Sequence, residues 1–135
     1  MNWKLIVQLS LFGLAMGILT VFLPMPSSLE LVFWLVIFVI CAYVIGKLAP
    51  GRYFQHGMMV SVLNSLWIIA AHVLLFNQYL AGHPEEARTM ALMPLSNQPR
   101  LLMIVMGLFI GVVSGAVLGV FAVIAKKLLA PPVDE

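Results

Sequence analysis

The chain has 135 residues, of which 63% are hydrophobic and 9% charged, with a formal net charge of +2 and a mean hydropathy of +1.10. An average soluble chain is about a quarter charged, and a domain this small could not hide so much apolar surface from water, so the composition excludes a soluble globule and indicates a polytopic membrane protein. The few cations flank apolar runs and form no basic face, which excludes a nucleic-acid partner and leaves the lipid bilayer as the expected surrounding.

The first apolar run, Leu5 to Leu23, is long enough as a helix to cross a hydrocarbon core of roughly 30 Å. Lys4 gives it the positive start of a secretory signal. However, nineteen residues exceed the usual signal core and PMPSSLE offers no small-x-small cleavage site, so it reads as a mature span. Pro24 and Pro26 stop it, and Ser27 or Ser28 can cap the next helix. The connection is so short that spans one and two are expected to be antiparallel neighbours.

The second span, 31–48, contains Cys41, the one cysteine. It has no partner for an intramolecular disulfide and reads as a small apolar packing residue. Pro50-Gly51 then signals a turn, with Tyr53 and Phe54 suited to a membrane interface, which predicts a second hairpin. The third span, 57–79, is followed by the longest connection, AGHPEEARTMALMPLSNQPR. There Pro84 fits a first helical position, Glu85 and Glu86 suit the first turn, and Pro94 ends the run, predicting a short external helix near 84–93. The fourth span, 101–125, leads through Lys126 and Lys127 into a short disordered tail over 131–135.

Strands are the poor alternative, because spanning strands alternate apolar and polar residues and these runs are nearly continuous. The expected fold is an all-α membrane protein, one domain over 1–130, a bundle of four transmembrane helices. Lys4, Lys47, Arg52, Lys126 and Lys127 collect on one side against Arg88 and Arg100 on the other, which places both termini in the cytoplasm. In general outline the chain resembles small four-span bacterial inner-membrane proteins, and this implies a multi-pass location in the inner membrane.

Span three is the most polar inside. With Ser61 at zero and about 100° per residue, Ser65 falls near 40°, His72 near 20° and Asn64 near −60°, so the four share an arc of roughly 100° that should face protein. Such residues commonly join helices by hydrogen bonds; the sharper reading is a polar path or ligand pocket. Asn64 and His72 are about 12 Å apart along the axis, so each needs a partner from another helix or water. Glu30 is the one carboxylate placed to pair with His72, and a solvated helix start explains it equally.

Other ligand chemistries have little support. Haem of the electron-transfer b type needs histidines facing one another from different helices, and His56, His72 and His83 come from one stretch at three depths. Met25, Met90, Met93, Met103 and Met106, with His83, are donors suited to Cu(I), but methionine is also an ordinary filler. His83 and Glu86 make at most a two-ligand site. No cofactor or metal is therefore expected, and no catalytic triad, phosphate-cradling loop or HExxH is present to suggest an enzyme.

Gly107, Gly111, Gly115 and Gly119 recur every fourth residue in span four, bordered by Ser114 and extended by Ala122. Each glycine would cost about 1 kcal/mol against alanine in a water-exposed helix. In a bilayer, such a groove lets another backbone come close. The face Ser10, Gly13, Gly17 and Thr20 of span one, with its own GxxxG, is expected to fill it; the alternative is span four of a second copy. The functional expectation is a non-enzymatic scaffold or accessory subunit contacting another membrane protein. The alternative is a small transporter or channel protomer using Ser61, Asn64, Ser65 and His72 and oligomerising through span four.

Overall fold

A computed structural model describes residues 1–131; the end of the expected tail, 132–135, lies outside the described residues. The described residues form six helices and no strand: α1 Trp3–Phe22, α2 Ser27–Leu48, α3 Tyr53–Leu74, α4 Phe76–Gly82, α5 Pro84–Leu92 and α6 Pro99–Leu129. Four of them, α1, α2, α3 and α6, are long and apolar enough to cross a membrane, as befits a multi-pass membrane protein.

Local chemistry sets the boundaries. The Asn2 side chain accepts the Leu5 N–H and caps α1, satisfying a donor that has no partner within the helix. Pro24 disfavours helical geometry at the residue before it. Between α2 and α3, Gly51 adopts φ 140° and Arg52 φ 50°; the first of these is open to glycine because it lacks a Cβ. Pro84 and Pro99 stand at helix starts, where a missing N–H costs nothing. Lys126 and Lys127 occupy the last turn of α6, next to its exposed carbonyls.

Helix ends differ from the sequence expectation: α1 begins two residues before 5 and ends one before 23, and α2 and α3 begin four residues before 31 and 57. The apolar run taken as one span to Tyr79 breaks at Leu75 (φ −105°, ψ 34°), so Tyr79 belongs to the separate α4. The last span begins two residues earlier than 101 and continues four beyond 125.

The packing order also differs. α3 lies between α1 and α6, and α2 packs along α6, whereas α1 and α2, and likewise α2 and α3, touch over only small parts of their lengths. The short connections hold helix ends near one another, but the small residues decide which backbones come together. Gly13 and Gly17 of α1 lie against Asn64 and Ile68 of α3, in parallel. Gly107, Gly111, Gly115 and Gly119 lie against Ile69, Ser65, Met58 and Phe54 of α3, in antiparallel order. The expectation that α1 fills the glycine groove of α6 is therefore corrected: α3 fills it, and α1 uses its own glycines on the opposite flank of α3. α1 and α2 complete the interior with larger side chains; Ile6, Cys41, Ile45, Val60 and Leu118 from all four long helices are fully buried in one core.

Candidate functional site

Most of the intramembrane polar chemistry is mounted on α3, and its two flanks behave differently. Toward α6, Ser114 donates its hydroxyl to the Ile110 carbonyl at 2.6 Å, which makes Ser61 the donor in the 2.8 Å bond between the two serines. Ser65 returns its proton to the Val62 carbonyl at 2.7 Å and presses its hydroxymethyl group into the space left by Gly111.

Toward α1, the Gly13 N–H donates to Asn64 Oδ1 at 2.8 Å. Gly13 permits this contact because a Cβ there would lie 2.5 Å from the Asn64 Cα and 2.6 Å from its carbonyl oxygen. Asn64 is 2% exposed, and its amide nitrogen meets no acceptor among the described residues. One turn beyond, Gly17 seats Ile68 and Ala71, and Thr20 Oγ1 lies 2.9 Å from His72 Nε2. Thr20 also donates to the Met16 carbonyl at 2.8 Å; with its proton committed there, His72 carries hydrogen on Nε2 and donates. The stripe thus divides, with Ser61 and Ser65 on α6 and Asn64 and His72 on α1.

Breaking the helix at Leu75 turns α4 so that Tyr79 stacks on His72, with ring centroids 4.0 Å apart and planes at 23°. His83 covers the other face of Tyr79 at 4.2 Å and 21°, and its Nδ1–H donates to the Tyr79 carbonyl at 2.8 Å. The Tyr79 hydroxyl donates to Glu86. Burial, then the Glu86 hydrogen bond and the charges of Glu86 and Glu30, hold the phenol well above its ordinary range. His83 and Glu86, considered above as a metal pair, are both committed to Tyr79, and Glu30 acts on the same phenol. Among the described residues no three His, Cys, Asp or Glu side chains gather in metal-holding geometry. The line Thr20, His72, Tyr79, His83, Glu86 can hold a proton on the phenol oxygen and fix two imidazoles, from inside the bundle to its loop end.

At the opposite end, His56 is fully buried. Its Nδ1–H donates to the Arg52 carbonyl at 3.0 Å, and its Nε2 accepts the Asn2 N–H at 2.9 Å. This clamp joins the start of α1 to the start of α3. Sequence reasoning missed it, since nothing local to His56 marks Asn2 as its partner, and it missed Tyr79 because the break at Leu75 has no glycine or proline to announce it. Nothing among protein-family models, curated proteins or solved structures matches this chain.

Proposed function

We propose that this chain is a small inner-membrane protein with both termini in the cytoplasm and the α5 connection outside, acting as a non-enzymatic scaffold or accessory subunit. The observation that carries this reading is that the close-packing faces are used within the chain. Gly13, Gly17, Gly107, Gly111, Gly115 and Gly119 each seat a residue of α3. What turns outward is apolar and large, including Leu31 at 70% exposed and Phe109 at 64%. Such surfaces suit lipid on most sides and a second membrane protein on one. A photo-crosslinking residue at Val36 on α2 or Val113 on α6 tests it in the native membrane: one discrete protein adduct supports the reading, whereas lipid adducts alone at both positions contradict it.

A second reading, a small transporter or channel protomer, draws on the buried Asn64 amide, whose nitrogen meets no acceptor among the described residues, and on the ring line from His72 to Glu86. Mass measurement in nanodiscs together with flux in proteoliposomes separates the two. A 14.9 kDa monomer without flux favours the scaffold. An oligomer whose flux is lost in Asn64→Leu and His72→Leu favours the transporter.

A further inference from the structure

Where α2 and α6 end, a cationic seam forms no ion pair among the described residues. A Cβ on Gly46 would lie 3.0 Å from the Lys126 nitrogen and 3.2 Å from the Ala125 carbonyl carbon, so the last turns of α2 and α6 are in backbone contact. Lys47 follows Gly46 directly, and two ammonium-bearing residues therefore flank a single contact. Each is held over a phenol ring, Lys47 Nζ 5.7 Å from the Tyr43 centroid and Lys126 Nζ 5.6 Å from that of Tyr53. The ion pair among the described residues, Arg88 with Glu85, is in the connection at the other end. The exposed carbonyls of the two helix ends attract these ammoniums but carry too little charge to neutralise them. Further along the same helices, Val36, Ile40, Val117, Val120 and Ile124 keep apolar surface exposed.

Charge at the membrane edge, phenol groups beside it and apolar surface running inward match the three parts of a lipid: phosphate, glycerol and acyl chain. We propose that the seam formed by Lys47 and Lys126 binds the phosphodiester headgroup of an anionic phospholipid, with its chains along the outer faces of α2 and α6. A free phosphate shares the headgroup chemistry but cannot use the apolar surface, so the seam discriminates between them.

The test measures binding of fluorescent phosphatidylglycerol to the full-length protein in a neutral detergent, and lipid retention by native mass spectrometry after reconstitution with mixed phosphatidylcholine and phosphatidylglycerol. Each lysine near an anionic surface contributes about fivefold in affinity, so Lys47→Gln or Lys126→Gln should weaken binding by about that factor and the double variant by roughly twenty-five-fold. Arg88→Gln with Arg100→Gln removes the same charge at the other end and should leave binding unchanged. Lys47→Arg with Lys126→Arg should retain it, and raised salt should weaken binding to the wild-type chain, a readout that needs no variant to fold. The proposal is overturned if the double glutamine variant binds like wild type, if the Arg88 and Arg100 changes cost as much, if salt has no effect, or if glycerol phosphate competes as well as the lipid.

Discussion

Gly57→Ala should destabilise the bundle much more than Gly107→Ala, although both add one methyl group to the interface of α3 with α6. At Gly57 the new Cβ would lie 2.7 Å from the Gly119 Cα and nitrogen and from the Leu118 carbonyl oxygen. These are backbone atoms that cannot rotate aside. Restoring ordinary contact near 3.6 Å requires the helices to separate by about 1 Å. One turn along, that opening would stretch the 2.8 Å bond between Ser61 and Ser114 past the usual limit of about 3.5 Å. Overpacking of this kind costs about 1–3 kcal/mol, and an interhelical bond averages about 0.6 kcal/mol, giving about 2–4 kcal/mol in total. At Gly107 the obstacle is Ile69 Cγ1 at 2.5 Å and Cδ1 at 2.7 Å, side-chain atoms that can give way without separating the backbones, by χ2 rotation for Cδ1 and a χ1 deflection of about 30° for Cγ1, at about 0.5–1.5 kcal/mol. Unfolding by SDS in mixed micelles, followed by tryptophan fluorescence, reads both values. Equal losses in the two variants, or a Gly57→Ala protein as stable as wild type, would refute the backbone-contact reasoning.

Three further outcomes follow from the polar contacts. Thr20→Val preserves shape but removes the acceptor for His72, and should cost about 0.6–2 kcal/mol in the same unfolding assay; no loss would mean that the bond contributes nothing. His56→Leu leaves the part-buried Asn2 N–H without its acceptor, at a cost of about 1 kcal/mol, and hydrogen exchange should quicken in the first turns of α1 while the middle of α3 stays protected. Tyr79 should remain protonated where free tyrosine ionises, near pH 10, because burial and the Glu86 and Glu30 carboxylates raise its phenol. The unfolded chain then releases its proton first, so this contribution to stability is present below about pH 10 and is lost as pH rises above it. The ultraviolet titration difference between wild type and Tyr79→Phe measures it, and Glu86→Gln should bring the transition part of the way back, since burial remains.

The four spans were legible because each is an apolar run with few or no charges, interrupted by Pro24, Pro50 and Pro94. Helix ends were less so: α1 starts at Trp3 because the Asn2 side chain caps it, and α6 extends past Lys126 because long cationic side chains can reach the interface from inside a helix. The choice of partner was not legible. Four-residue spacing of small residues states that a close contact exists, yet it is silent on which helix supplies the other side. A usable signal was present in span three, where Gly57, Ser61 and Ser65 repeat the same spacing; read only as polarity, it concealed that α3 is small toward α6 as well. The ring line was hidden for another reason: His72 and Tyr79 stack only because Leu75 interrupts the helix, and that backbone choice leaves no mark in a run of Leu, Leu and Phe.

The claim that carries the rest is that α3 of the same chain fills the glycine groove of α6. Cysteine cross-linking tests it directly at Ser61 and Ser114, whose hydroxyl oxygens are 2.8 Å apart, in a chain with Cys41→Ala. The double variant Ser61→Cys with Ser114→Cys should form a disulfide within one chain, at monomer mass. Mixing the two single variants should give no cross-linked dimer, and Ser10→Cys with Ser114→Cys, which joins α1 to α6, should stay reduced. A dimer from the mixed single variants, or efficient closure of the α1 to α6 pair, would contradict the account.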